Sequence, residues 1–331
     1  MPAADAEPAS MPASAEVACA HASAEVELAM RAFVPYLGSA QNEDGGWGFR
    51  SGLQSRVEPT ACALLALLNG EAETANPLRN KAFGFLRRAR LRDGSWPAAP
   101  GQTSGCWVTS LSSWAMLADA ESKSAVQAGL RWICEDWPRD AGLIRRTIRN
   151  ILLRNDAARQ NDKLHGWGWT PCTASWVEPT ALALIALEQA PKELLPSGAD
   201  KRRAMAKLLI YDRMCSGGGW NCGNPMVYGV HGDPSVGPTV WALLALRNEP
   251  ENEKKTLSLQ WLEGNLSGKL GPASLALAKI CLESYGRAWP SHAPQLADVL
   301  EKTESSVSVP TMAWTYLALT GWRCFLKPEA R

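Results

Sequence analysis

The sequence lacks an excess of charge of either sign. Its 331 residues contain 34 Lys and Arg against 33 Asp and Glu, a formal net charge of +1. Nucleic-acid-binding proteins usually carry a strongly basic patch, so nothing in the total charge indicates such a partner. The sequence also lacks an apolar run of ~18 residues free of charge and proline, which a membrane-spanning helix needs. We therefore expect a soluble globular protein without a membrane span, whose 46% of hydrophobic residues form a large core.

A secretory signal and a regular disulfide pattern are lacking as well. The first 23 residues are rich in Ala, Pro and Ser, without a basic start and an apolar run, so residues 1–23 are predicted to be a disordered tail. The nine cysteines are an odd set without regular spacing, and some, such as Cys62 and Cys281, lie beside alanine or leucine, where a thiol acts as a small hydrophobic group. These features predict a reducing, cytoplasmic location.

The sequence does contain an internal repeat. GWGFRSGLQSRVEPTACALLAL, residues 46–67, returns as GWGWTPCTASWVEPTALALIAL, residues 166–187, with 13 of 22 positions identical. A repeat of this kind indicates an architecture of similar units. Turns with Gly and Trp come before four apolar segments, and each tryptophan ring is expected to bury ~150 to 250 Å² as a packing element. These tryptophans are Trp47, Trp96, Trp167 and Trp220.

Two kinds of helix alternate along the chain. Six segments are apolar nearly all round, which is typical of helices buried on every side, and most open on proline, which suits a first helical turn. They begin at Pro59, Thr109, Pro179, Pro238, Pro272 and Pro310. Six others carry a polar stripe, at residues 24–37, 77–90, 122–134, 199–214, 251–262 and 294–302. The alternation predicts six helical hairpins closed into a double ring, with the buried helices inside.

The repeat resembles the QW repeat of squalene-hopene cyclases, oxidosqualene cyclases and protein prenyltransferase β subunits, which share an (α/α)6 toroid. Gln41 to Trp47, preceded by Phe33 and Leu37, matches that motif, and the similarity extends over residues 24–321. It implies an all-α, single-domain toroid over residues 24–325. The cyclases have two toroidal domains and an Asp-x-Asp-Asp proton donor, and the prenyltransferases have a zinc-binding Asp-x-Cys; this sequence contains neither motif.

Glu178 is the principal candidate for a catalytic acid. In a regular ring all inner helices begin on one rim, so the loops before them surround the mouth of a cavity. The resemblance puts Glu178 at the place of the cyclase proton donor, and desolvation would keep a carboxyl protonated at neutral pH. Glu58 begins a second copy of the Glu-Pro-Thr motif that Glu178 begins. This repetition favours a structural interpretation for both, since an acid before a helix is stabilised by the helix dipole.

His231 and Asp233 form a second candidate pair in the longest loop before an inner helix. They are interpreted either as catalytic acid and base or as ordinary turn residues of His-Gly-Asp-Pro-Ser. Together with Cys222 they also offer the ligand types that zinc takes, although the spacing matches no standard zinc motif. No cofactor is predicted, with zinc or magnesium as weak alternatives.

Aromatic side chains on the rim and inner helices are candidates for binding substrate. An aromatic face stabilises a cation by ~0.5 to 2 kcal/mol, although the same rings could simply fill the centre of the ring. The candidates are Trp107, Trp114, Trp176, Trp241, Trp314 and Tyr316.

An insertion at about 138–158 predicts an extra basic amphipathic helix. Such a helix is usually an outer element with a solvated face, but it can also lie on a membrane surface or cover an anionic substrate. The sequence as a whole predicts an isoprenoid-handling enzyme, most like a protonation-initiated terpene cyclase, that binds an isoprenoid or other apolar small molecule. The alternatives are a non-catalytic toroid that binds a lipid or a protein partner, and a zinc-dependent prenyltransferase-like protein.

Overall fold

The computed structural model describes residues 33–69, 75–136, 160–161, 163–227, 229–267, 270–292, 296 and 307–325. The predicted tail at residues 1–23 and the basic helix at about 138–158 lie outside these residues. Within them, no helix combines the length and the apolar character needed to cross a membrane. The eight cysteines in this part of the chain are free thiols.

The structure is built from helices at the predicted places. The six inner helices and four of the outer ones agree with the sequence to within about three residues, and of the predicted stretch at 294–302 only residue 296 is described. In chain order the helices are α1 (residues 33–40), α2 (Val57–Asn69), α3 (Asn76–Ala89), α4 (Val108–Ala115), α5 (Lys123–Glu135), α6 (Val177–Gln189), α7 (Ala199–Asp212), α8 (Val236–Ala245), α9 (Glu253–Gly264), α10 (Pro272–Ser284) and α11 (Val309–Thr320).

The inner helices close into a ring. In order around the ring they are α2, α4, α6, α8, α10 and α11; each packs against the next, and α11 packs against α2. Outer helices α3, α5, α7 and α9 pack against α2, α4, α6 and α8. The inner helices α2 and α6 are buried along almost their whole length, as their Ala- and Leu-rich sequences predict. The predicted all-α (α/α)6 toroid is confirmed.

The turn tryptophans tie successive helices together. The indole Nε1 of Trp47 donates to the Leu37 carbonyl at 2.9 Å, and its backbone N–H donates to Thr60 Oγ1 at 2.9 Å. Equivalent pairs of bonds recur at the other three turn tryptophans, and all four rings are at most 3% exposed. Each turn therefore joins an outer helix to the threonine in the first turn of an inner helix.

A second set of bonds links neighbouring units along the rim. The first N–H groups of a helix have no partner within the helix, and here a carbonyl of the next unit accepts a bond from one of them. Every accepting carbonyl lies two residues after a turn tryptophan. The bonds run from Val57 to Ala98, Trp107 to Trp169, Val177 to Cys222 and Val309 to Phe49, with N···O distances of 3.5, 3.2, 3.2 and 2.8 Å.

The opposite end of the ring is covered by a short 3₁₀ turn, Arg323–Phe325, called the C-terminal turn below. It bonds to residues at the ends of α2, α4 and α6 and just after α8. Arg323 N donates to Asn69 Oδ1 at 3.1 Å, Trp114 Nε1 donates to the Cys324 carbonyl at 3.1 Å, Gln189 Nε2 donates to the Phe325 carbonyl at 2.8 Å, and Arg247 Nη2 donates to the same carbonyl.

Candidate active site

A cavity of about 380 Å³ lies inside the ring, and all six inner helices contribute to its wall. Its volume falls within the ~300 to 1,000 Å³ that is usual for small-molecule sites. Five of the inner helices supply a position in or just before their first turn and the position four residues later, because residues i and i+4 lie on the same helix face. The pairs are Glu58 and Cys62, Trp107 and Leu111, Glu178 and Leu182, Ala273 and Leu277, and Pro310 and Trp314, whereas α8 supplies Trp241 alone.

Two carboxyl groups therefore share one largely apolar cavity. Glu58 and Glu178 stand in the first turns of the first and third inner helices, and both are partly buried. Burial raises the pKa of Glu58 from 4.5 to about 7. The pKa of Glu178 is also raised, again because burial disfavours the charged form. A carboxyl with a pKa near neutrality can both hold and release a proton, which is the property required of a general acid.

Different neighbours flank the two acids. Trp107 extends from α4, the helix between those of Glu58 and Glu178, and its ring meets that of Trp169 edge-on, with centroids 5.3 Å apart. On the other side of Glu178, the corresponding position of α8 is Gly237. A Cβ at Gly237 would lie 3.4 Å from Glu178 Oε1, so the missing side chain leaves space beside this carboxyl.

Aromatic rings form the deeper part of the wall. Trp241 and Trp314 line the cavity and meet edge-on with centroids 5.6 Å apart. Trp114 stacks behind Trp314 at 6.5 Å and borders a separate cavity of about 210 Å³ towards the C-terminal turn. Ring faces at such positions attract cations.

The remaining aromatic candidates lie away from the cavity wall. Tyr316 is 6% exposed and stacks on Phe33 of α1, with ring centroids 4.0 Å apart. Trp176 precedes α6 and is partly buried, but it does not contribute to the wall. Of the six predicted aromatic residues, the structure thus brings Trp107, Trp241 and Trp314 together around the cavity, with Trp114 directly behind them.

His231 and Asp233 are exposed and do not line the cavity. Their loop contains a small antiparallel hairpin, β1 (Met226–Val227) and β2 (Val230–His231), in which His231 pairs with Met226. In the described part of the chain no three His, Cys, Asp or Glu side chains are placed to hold a metal ion. The weak zinc alternative built on Cys222, His231 and Asp233 is therefore not supported, because these three exposed side chains do not form such a group.

The wall residues that were not among the sequence candidates for a catalytic or binding role include one acid and two aromatic residues. Glu58 was interpreted as structural because its motif is repeated, yet both copies reach the cavity. Phe49 and Trp169 also line it, and each lies two residues after a turn tryptophan. The aligned GWGF and GWGW segments contained that signal, since equivalent positions of a ring face the same centre.

Sequence comparison finds a curated relative, while no protein-family model matches the chain. The chain is 28% identical over 244 residues to "Drimenyl diphosphate synthase" from Streptomyces showdoensis, a match that covers 62% of this chain and 44% of the relative. The chain thus spans less than half the length of this relative.

Comparison with solved structures finds the same fold at low sequence identity. A protein from Actinoplanes has a TM-score of 0.59 at 14% identity, covering 89% of this chain and 98% of the other. The type II terpene cyclase MstE from Scytonema has a TM-score of 0.54 at 14% identity, with 91% and 98% coverage. The GH76A alpha-1,6-mannanase of Salegentibacter sp. HEL1_6 has a TM-score of 0.56 at 10% identity, with 91% of this chain and 100% of the other covered. The resemblance of this chain to the terpene cyclase-like superfamily is confirmed by the shared toroid and by the curated relative.

Proposed function

We propose that the protein is an isoprenoid-handling enzyme, a protonation-initiated (class II) terpene cyclase that acts on a linear isoprenoid in the ring cavity. The observation that supports this most directly is the pair of carboxyl groups with raised pKa in a largely apolar, tryptophan-lined cavity. The likeness to MstE and to the curated synthase supports the same chemistry.

Glu58 is the proposed proton donor, because its pKa of about 7 leaves roughly half of the side chains protonated at neutral pH. A carboxyl oxygen of Glu58 gives its proton to a terminal alkene carbon of the substrate. The alkene π electrons form the new C–H bond and leave a tertiary carbocation on the adjacent carbon. The next alkene supplies the electrons for a C–C bond, which closes a ring and moves the positive charge along the chain.

Glu178 is the proposed proton acceptor at the end of the reaction. A proton leaves the carbon next to the final cation for the Glu178 carboxylate, and the C–H electrons form a new alkene. The substrate and product are then isomers. Both carboxyls are partly exposed, so water at the mouth returns Glu58 to its acid form and Glu178 to its base form. His231 and Asp233 receive no step in this scheme.

The tryptophans stabilise the intermediate cations between these two proton transfers. Trp107 lies between the acids, and Trp241 and Trp314 line the cavity further in. Each ring face contributes ~0.5 to 2 kcal/mol to a nearby cation. Leu111, Leu182 and Leu277 contribute side chains that neither trap the cation nor deliver water to it, and Cys62, Ser308 and Thr311 also line the cavity.

A glycoside hydrolase is the second candidate function, because such enzymes use two carboxyl groups and the mannanase shares the toroid. A sugar brings many hydroxyl groups that need polar partners in the site. The leucines and tryptophans of this wall fit an isoprenoid better. A non-catalytic lipid-binding toroid would use the same apolar wall without proton transfer.

Incubation of the purified protein with isoprenols, isoprenyl diphosphates, squalene and oligosaccharides tests these functions. We expect a cyclic isomer of one isoprenoid, detected by chromatography and mass spectrometry. Because a general acid contributes ~10²- to 10⁴-fold, Glu58→Gln is expected to lower turnover by at least ~100-fold. Glu193→Gln, a change at an exposed glutamate, is the matched control.

The three functions give different results in this experiment. A released sugar would support the hydrolase. Isoprenoid binding without any product, in the wild type and both variants alike, would support the non-catalytic toroid. Full turnover by Glu58→Gln would contradict the proposed donor, and full turnover by Glu178→Gln would contradict the proposed acceptor.

A further inference from the structure

The polar and apolar side chains of the cavity wall are separated by depth. The carboxyl groups of Glu58 and Glu178 come from the first turns of α2 and α6. The hydroxyl groups of Ser308 and Thr311 come from the start of α11. The lining positions of the second turns lie ~6 Å further from the mouth, because a helix rises ~1.5 Å per residue. These deeper residues are Cys62, Leu111, Leu182, Trp241, Leu277 and Trp314.

The deeper part of the wall has no oxygen acceptor among its described side chains. Leucine has no polar atom, an indole group only donates, and the thiol of Cys62 is a weak acceptor. A hydroxyl group that is buried without a partner weakens binding by about tenfold or more. The polar head of a bound chain therefore stays at the mouth.

The two levels of the wall are close together compared with the length of an isoprenoid. Among the described residues, no lining side chain comes from beyond the second turn of an inner helix. An extended chain of several isoprene units is longer than the ~6 Å between the two levels. Each CH₂ group that it leaves in water forfeits about a fourfold gain in affinity. A chain that bends back keeps more of its carbons against the deeper apolar surface.

Ser308 and Thr311 provide a place for the polar head at the mouth. Ser308 Oγ lies 2.9 Å from Thr311 Oγ1 and accepts from Thr311 N at 3.3 Å. Each hydroxyl group has one donor and two acceptor positions, so the pair still offers both kinds to a ligand after these two bonds. Helix α11 packs against α2, the helix of Glu58. The axes of packed helices are ~8 to 10 Å apart, so this pair and Glu58 are neighbours on the mouth.

The charge of the wall favours an uncharged head. The ionisable carboxyl groups of Glu58 and Glu178 line the cavity, and none of its described lining residues is lysine or arginine. A phosphate group would bring further negative charge to this mouth, and like charges placed together weaken binding. A hydroxyl group brings no charge and can use both hydrogen-bonding positions of the Ser308 and Thr311 pair.

We infer that the cavity binds an isoprenoid alcohol folded back on itself, with both ends at the mouth. The hydroxyl head lies on Ser308 and Thr311, the far alkene lies at Glu58, and the middle of the chain lies against the deeper leucines and tryptophans. The inference rests on the proposed function for its substrate class. It adds the shape of the bound chain, the residues that hold its head and the absence of charge on that head.

Two isomeric decanediols test the shape without any reaction. One has its hydroxyl groups on both end carbons, and the other has them on the first and fifth carbons. In the folded shape the second hydroxyl reaches Glu58 in the first isomer and is buried among the deeper residues in the second. Isothermal titration calorimetry should therefore show the end-to-end isomer binding about tenfold or more tightly. An extended chain would bury its far hydroxyl deepest, so the preference would vanish or reverse.

Matched threonine variants test the place of the head. Thr311→Val removes one hydroxyl group of the pair and should weaken the binding of decanol by about two- to tenfold. Thr311→Ser keeps the hydroxyl and should bind as the wild type does. Thr315→Val is the control, because Thr315 is a buried residue of the same helix that does not line the cavity. Its affinity for decanol should be unchanged.

Decyl phosphate tests the charge of the head. At pH 8 it should bind about tenfold or more weakly than decanol, because its charge meets the carboxyl groups. Glu58→Gln removes one of these groups and should narrow the difference between the two ligands.

Each outcome decides the inference. Equal or tighter binding of the first-and-fifth isomer, equal losses in Thr311→Val and Thr315→Val, tighter binding of decyl phosphate than of decanol, or no binding of any of these alcohols would overturn it. The expected preferences in a protein that converts no isoprenoid would support the folded shape while the proposed function fails. Turnover without a preference between the diols would retain the function and reject the folded shape.

Discussion

Gly237 lies directly beside the carboxyl of Glu178, at a distance where an added Cβ would be 3.4 Å from Oε1. Alanine at this position in the first turn of α8 would just touch the carboxyl and remove water from it. The substitution therefore tests whether the environment of Glu178 matters for the reaction.

For Gly237→Ala we expect turnover to change while stability is kept or rises by ~0.5 to 1 kcal/mol, since alanine is favoured over glycine in helices. The added methyl should raise the pKa of Glu178 further, which moves the acidic limb of the pH–rate profile to higher pH. Gly84→Ala on α3 is the control that gains helix stability without a change in this profile. Identical profiles for the two variants would contradict the prediction.

The raised pKa of Glu58 predicts a pH-dependent stability. The pKa is about 7 in the folded protein against 4.5 without burial, so between these values the folded state binds more protons than the unfolded state. The contribution of the Glu58 carboxyl to the free energy of unfolding is therefore fully present below about pH 4.5 and is lost as the pH rises towards 7. The loss should be on the order of 2 kcal/mol, allowing for partial exposure.

Urea unfolding at several pH values measures this effect. Glu58→Gln should reduce the pH dependence of stability between pH 4.5 and 7, leaving the part due to Glu178, and Glu193→Gln should leave it as in the wild type. A wild-type slope that persists in Glu58→Gln would show that other groups cause it.

The raised pKa of the Glu58 carboxyl also predicts the alkaline limb of the pH–rate profile. The donor must be protonated, so kcat/KM should fall as the pH rises through about 7. The acceptor must be ionised, so activity should also fall when the pH drops below the raised pKa of Glu178. The profile is then bell-shaped, and the residual activity of Glu178→Gln should lack the acidic limb. A profile that stays flat from pH 5 to 9 would reject both assignments.

Thr60 tests the bonds that tie the turns to the inner helices. Its Oγ1 accepts from Trp47 N at 2.9 Å and donates to the Arg56 carbonyl at 2.7 Å. Thr60→Val preserves the shape but leaves a buried N–H without a partner, so the free energy of unfolding should fall by ~1 to 3 kcal/mol. Thr103→Val, at an exposed loop position, should change it by less than ~0.5 kcal/mol. Equal unfolding midpoints in urea would contradict a structural role for the bond.

Much of the fold could be predicted from the sequence because the same local rules repeat. Proline or threonine before an Ala- and Leu-rich run marked each inner helix start, and the ring followed from their alternation with half-polar helices. The positions that line the cavity could also be predicted from the sequence. Glu58 and Cys62, like Glu178 and Leu182, are four residues apart on helices whose first turn the sequence analysis identified.

Other parts of the site depend on contacts that no local pattern contains. Phe325 packs against Trp114, which is distant from it in sequence, as well as against Trp314. The loop with His231 and Asp233 contains turn residues whether these two side chains are catalytic or not. The sequence therefore did not predict that this loop forms an exposed hairpin. The cytoplasmic location, the peripheral membrane contact and the domain boundaries stay predictions.

The junction between the last inner helix and the first has a consequence for how the molecule assembles. Asn69 donates to Thr320 Oγ1 across 251 positions of sequence, whereas the other joints of the ring connect successive hairpins. Because closing so long a loop is slow, this seam should form last during folding and part first under mild denaturation. A ligand that contacts both Glu58 on α2 and Trp314 on α11 would stabilise the junction between these two helices. Bound substrate should therefore slow proteolysis more at this junction than at the other helix junctions of the ring.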